Sequence, residues 1–95
     1  MAADNPVQQA ELEIVNRLGL HARAAARFVA VASEYTADIA VRFNGNEANG
    51  KSIMGLMMLA AGQGSVLSVT ARGDDGSQAL VALGALLADR FGEAD

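Results

Sequence analysis

Acidic and apolar positions alternate along Glu11–Val15, with Leu12 and Ile14 opposite Glu11 and Glu13. A period of two predicts a half-buried strand. Asn16–Leu20 interrupts the alternation at Gly19 and predicts a loop. The period then lengthens: Ala25, Phe28, Val29 and Ala32 recur at i, i+3, i+4 and i+7, an apolar stripe on a helix expected over Ala22–Tyr35. Alternation returns over Asp38–Phe43, with Ile39, Val41 and Phe43 on one side. Asn44-Gly45 predicts a tight hairpin turn into a short return strand at Asn46–Asn49. Ser52–Ala60 reads as a short helix with Leu56, Leu59 and Ala60 facing the core, and Val66–Arg72 as a strand with Leu67, Val69 and Ala71 inward. After the turn Gly73-Asp74-Asp75-Gly76, Ser77 suits an N-cap, and Leu80, Leu83, Leu87 and Phe91 share one stripe of a last helix.

The resulting order is β-α-β-β-α-β-α. Strands with one apolar and one polar side expect a sheet covered on a single face. The expected fold class is therefore α/β (α+β): an open-faced sandwich, a four-stranded antiparallel sheet with three helices on one face. Met1–Gln9 is polar and holds the only proline, so residues 1–9 are expected to be a flexible tail and residues 10–95 a single domain.

Composition narrows the function. Only three Phe and one Tyr are present, so the core must be thin and built from Leu, Val, Ile and Met. Net charge is −4 and Lys51 is the sole lysine, which leaves no basic stripe for nucleic acid. The absence of cysteine removes disulfides and thiolate ligands, and one histidine gives too few ligands for a metal site. No cofactor is expected. The start of the chain lacks the basic and apolar runs of a secretory signal. The uncharged stretch Ser52–Ala71 is broken by Gly62-Gln63-Gly64-Ser65, so neither membrane insertion nor export is expected, and a cytoplasmic location is.

His21 stands where the loop meets the first helix, with Arg17, Arg23 and Arg27 around it. The first turn of a helix offers unpaired N–H groups and the positive end of the dipole, a place suited to phosphate. Arg23 can add a guanidinium to the phosphate oxygens. An exposed histidine that merely starts a helix would leave the same trace.

The run Gly19-Leu20-His21-Ala22-Arg23 weighs against that plainer reading: it resembles the G-[LIM]-H-A-R phosphorylation signature of HPr phosphocarriers. The likeness extends from about Ala10 to Phe91 and includes Lys51-Ser52-Ile53-Met54-Gly55-Leu56-Met57, which is similar to the family's regulatory serine segment. The resemblance implies a phosphoryl carrier rather than an enzyme. His21 would accept phosphate on Nδ1 from phospho-enzyme I, with Arg23 close to it, and pass it to enzyme IIA domains. Ser52 would be the target of HPr kinase/phosphorylase, and the protein would act as a monomer. Leu20, Ala24, Arg27, Ile53, Met54 and Met57 are the expected partner-binding residues. The family usually has proline where this chain has Ala24; alanine keeps the helix but gives up a pre-set φ, so slower transfer is expected.

Gly45-Asn46-Glu47-Ala48-Asn49-Gly50-Lys51-Ser52 also matches G-x-x-x-x-G-K-[ST], the phosphate loop of nucleotide-binding proteins. That loop requires a parallel sheet, whereas Asn44-Gly45 predicts a hairpin, and Val66–Arg72 ends without an acidic metal ligand. Serine at a helix start has its own structural use as an N-cap. Ile53, Met54 and Met57 fall outside the core-facing group, and in so small a domain an exposed docking patch is expected there. Phosphate on Ser52 would add about −1.5 to −2 charges beside that patch and block docking. A nitrogen-type regulatory carrier, and a small interaction domain with no phosphate on His21, remain alternatives.

Overall fold

A computed structural model describes residues 6–95. The chain runs β1 (Val7–Glu13), α1 (Ala22–Ala32), β2 (Asp38–Phe43), β3 (Asn46–Asn49), α2 (Ile53–Met58), β4 (Val66–Arg72) and α3 (Gly76–Ala88). A short turn over Arg90–Gly92 follows. The four strands form one antiparallel sheet in the order β1-β4-β2-β3. Each strand's alternation sorts its residues between two environments. Leu67, Val69 and Ala71 of β4 and Ile39 and Val41 of β2 are buried beneath the helices. On the opposite, open face Glu11 lies across from Ser68, whose hydroxyl donates to the Glu11 carboxylate at 2.8 Å. The expected open-faced sandwich is the architecture found.

Local boundaries depart from expectation where distant groups compete for the backbone. β1 starts at Val7, because residues 7–9 pair with Arg72, Ala71 and Thr70. The expected tail therefore loses residues 7–9 to the sheet, while its residues 1–5 lie outside the described residues. α1 ends at Ala32 rather than Tyr35. The Thr36 and Ala37 N–H groups donate to the Asp75 carboxylate at 2.8 Å each, turning the chain out of the helix. The same contacts correct the cap of α3. That helix begins at Gly76, one residue before Ser77, and Asp75 at its N-cap is turned toward the α1–β2 loop instead of its own helix. In α2, Leu56 and Leu59 are buried as expected, but Ala60 is exposed with φ +55 and leads the chain out of the helix. Phe91 is fully buried but stands beyond α3, in the reversing turn.

The hairpin at Asn44-Gly45 and the pairing of β3 with β2 remove the phosphate-loop reading: Gly45 sits in the turn of an antiparallel ribbon. Among the described residues no helix is long and apolar enough to cross a membrane.

Candidate functional site

His21 is the N-cap of α1, with extended backbone (φ −80°, ψ −178°) and a carbonyl that accepts the first helical bond from the Ala25 N–H at 2.8 Å. Its side chain takes no part in capping. The amides of the first turn consequently keep their pull on an anion. The approach to the histidine is held by backbone contacts. Gly19 has φ +70, a left-handed conformation, and a Cβ there would sit 2.8 Å from both the Ala61 carbonyl oxygen and Gly62 Cα. Leu20 N–H donates to that same Ala61 carbonyl at 2.9 Å. The loop before His21 is thus pinned to the segment that follows α2.

The imidazole lines a cleft of about 640 Å³ together with Arg17, Arg23, Arg27, Glu93 and Asp95. Three guanidinium groups near one half-buried histidine suit an oxyanion with several acceptor oxygens. Arg23 is exposed, while Arg27 donates through Nη1 to the Phe91 carbonyl and so ties α1 to the C-terminal turn. Arg17 N–H donates to the Asp95 carbonyl at 3.0 Å, and its side chain lies 3.7 Å from the Asp95 carboxylate.

Glu93 and Asn16 were not singled out by the sequence, and both belong to this site. Oε2 of Glu93 is hydrogen-bonded to His21 Nε2, and its Oε1 accepts from Asn16 Nδ2 at 3.0 Å. Asn16 is wholly buried, and its Nδ2 also donates to the Gly19 carbonyl at 2.9 Å. Desolvation raises the Glu93 carboxyl, but the bonds from Asn16 and His21 and the charges of His21 and Arg27 outweigh it and hold the group below its ordinary value. His21 Nδ1 has no hydrogen-bond partner among the described residues. The one sequence signal for Glu93 was the glycine before it, since Arg90, Phe91 and Gly92 all take positive φ and fold the chain back onto the histidine.

Two of the expected partner-binding residues are corrected. Leu20 is 4% exposed and Ala24 fully buried, because the first turn of α1 leans into the core; neither offers a surface to another protein. Ser52 caps α2, its Oγ accepting from the Gly55 N–H at 3.0 Å, and the residue is half-buried. Ile53, Met54 and Met57 are exposed, and Met58, which the periodicity did not mark, is the most exposed of the group at 79%. α2 packs against α1, the helix that begins at His21.

The comparisons with known proteins agree with one another. A family model described as the PTS HPr component phosphorylation site matches residues 8–89. "Phosphocarrier protein HPr" of Cupriavidus necator is 45% identical over 87 residues, covering 92% of this chain and 98% of the relative. The crystal structure of HPr-C-His from Thermoanaerobacter tengcongensis superposes with a TM-score of 0.88 at 43% identity, covering 93% of this chain and 99% of the other. A structure described as an HPr dimer from the same organism matches with a TM-score of 0.73 at 46% identity, over 86% of this chain and 94% of that one.

Proposed function

The chain belongs to the HPr family, the phosphocarriers of the phosphotransferase system, which carry phosphate on histidine and are not themselves enzymes; from that premise we propose that His21 is the carrier residue, accepting a phosphoryl group from phospho-enzyme I and donating it to enzyme IIA domains. The observation that carries this reading is the His21 imidazole at the start of α1, with Nδ1 unengaged, in a cleft lined by Arg17, Arg23 and Arg27. The Nδ1 lone pair attacks phosphorus in line with the donor's leaving atom, and the bond to that atom breaks with its electron pair. Arg23 and the first-turn amides of α1 receive the phosphate oxygens. Because the partner supplies the rest of the reaction centre, an open cleft serves better than a closed pocket.

Incubation with phosphoenolpyruvate and enzyme I, followed by ³¹P NMR, is expected to give an acid-labile phosphohistidine signal that is absent in His21→Ala. An equally labelled His21→Ala would remove the assignment. Subsequent transfer to a panel of enzyme IIA domains distinguishes a sugar-type from a nitrogen-type carrier. Ser52 is proposed as a second phosphate site, for HPr kinase/phosphorylase, that governs the first. Ile53, Met54 and Met57, with Met58, form the proposed docking surface on α2, supported by their exposure and by the adaptability of methionine packing. The carrier is proposed to work as a monomer in the cytoplasm; sedimentation at micromolar concentration checks the former.

A further inference from the structure

A phosphoryl acceptor on a neutral imidazole must have its lone pair on the attacking nitrogen, and the proton of the ring must sit on the other. Which nitrogen holds the proton is set by the hydrogen bond that the other groups of the site impose. In this chain the imposing group is reached through a run of contacts that begins in the core. Asn16 is wholly buried, and its amide orientation is fixed because Nδ2 has two acceptors, the Gly19 carbonyl at 2.9 Å and Glu93 Oε1 at 3.0 Å. The reverse orientation would face an acceptor-only Oδ1 toward a carbonyl and a carboxylate. Glu93 then presents Oε2 to His21 Nε2. An ionised carboxylate accepts only, so Nε2 must carry the proton. The left-handed turn Arg90–Gly92, tied down by the Arg27 bond to the Phe91 carbonyl, delivers Glu93 to this position from the far end of the chain.

We propose that Glu93 is a positioning residue for phosphoryl transfer: anchored by Asn16, it fixes the Nε2–H form of His21 and so leaves the Nδ1 lone pair free to attack. The inference rests on the reading of His21 as the phosphoryl acceptor. When the Nδ1–P bond forms and the donor keeps the electrons of the bond that breaks, no proton has to leave Nδ1. The ring becomes a phosphoimidazolium with its Nε2–H still on the Glu93 carboxylate, which balances the new positive charge. On donation the electron pair of the N–P bond returns to Nδ1 and the starting form is restored. Arg17, Arg23 and Arg27 line the same cleft, Arg27 with Nη1 on the Phe91 carbonyl, and Asp95 lies beside Arg17.

The arrangement makes an unusual prediction about the conservative variant. In Glu93→Gln the fixed Asn16 Nδ2 claims the amide oxygen, which turns the new NH2 toward His21. That group donates to Nε2 and forces the proton onto Nδ1, the wrong form for attack. Glu93→Ala only releases the ring to its own equilibrium. Long-range ¹H–¹⁵N NMR of the full chain at neutral pH is expected to find Nε2 protonated in the native protein and Nδ1 protonated in Glu93→Gln. The initial rate of phosphoryl acceptance from enzyme I is expected to fall by about a hundredfold or more in Glu93→Gln, and by less in Glu93→Ala. A part that only holds the C-terminal turn would give the opposite order, with the isosteric glutamine milder. Backbone amide spectra establish that both variants are folded.

A native-like ¹⁵N pattern in Glu93→Gln, or alanine more damaging than glutamine, overturns the proposal. The nitrogen shifts require no partner enzyme. If the native chain accepts no phosphate at His21, the functional reading fails while the proton position is still decided by those shifts.

Discussion

Single residues govern this site through backbone shape as much as through side-chain chemistry. His21 and Arg23 could be placed from the sequence as candidates, because the run Gly19-Leu20-His21-Ala22-Arg23 at a loop–helix junction is a local signal, although the histidine alone would have read equally well as a plain helix start. Gly19 was legible as a break but not for its reason. Its φ of +70 and the 2.8 Å approach of the Ala61 carbonyl to a would-be Cβ leave no room for any side chain. Gly19→Ala is expected to cost about 1–3 kcal/mol in stability. It is also expected to slow phosphoryl acceptance, since it displaces the loop that sets His21 and the carbonyl that orients Asn16. Urea unfolding gives the first quantity and labelling by enzyme I the second. Leu20 and Ala24, beside the histidine in sequence, were misread as partner contacts. Adjacency in a sequence says nothing about which way a first helical turn leans, and here it leans into the core.

At the scale of elements, α2 combines a structural cap with a proposed regulatory site in one serine. Its Oγ accepts from Gly55 N–H, satisfying one of the unpaired donors of a six-residue helix. Ser52→Ala is expected to lose about 0.5–2 kcal/mol, read as a lower denaturant midpoint, with little change in phosphoryl acceptance by the folded fraction. Ser52→Asp keeps a capping oxygen and adds charge beside Ile53, Met54 and Met57. It is expected to hold native stability while accepting phosphate from enzyme I more slowly. Normal acceptance by Ser52→Asp would count against control through docking. The exposed side of this helix was readable because six residues cannot bury every apolar position against α1 alone. The end of α1 and the cap of α3 were not readable, because both are set by Asp75 reaching across to Thr36 and Ala37.

Across the whole molecule, two carboxylates act as staples between distant segments, and their titration links folding to pH. The Asp75 carboxyl is held below its ordinary value chiefly by the Thr36 N–H, against some desolvation, with the Ala37 N–H and the Thr36 hydroxyl adding to it. Glu93 is also lowered: desolvation opposes it, but the bonds from Asn16 and His21 and the charges of His21 and Arg27 together outweigh that. A carboxylate with a lowered folded value contributes stability that is full above its ordinary value and lost as pH falls through the folded one. The ordinary values are 3.8 for Asp75 and 4.5 for Glu93. Both contributions are therefore expected to be complete between pH 7 and 5, so that these two groups add no pH dependence to the denaturant midpoint there, and to lower it below about pH 4.5. In Asp75→Asn the fall should be shallower, and an identical pH profile would remove the staple from the account. The sequence by itself determined the order of elements, the covered face of the sheet and the place of His21, because hydrophobic period, turn chemistry and helix starts are local properties of a few neighbouring residues. Tertiary structure alone decided that Glu93 closes on His21 from 72 positions away, that Asn16 anchors it, and that Leu20 and Ala24 turn inward. Those outcomes depend on which segments the packed sheet and helices bring together, and no periodicity along the chain records that.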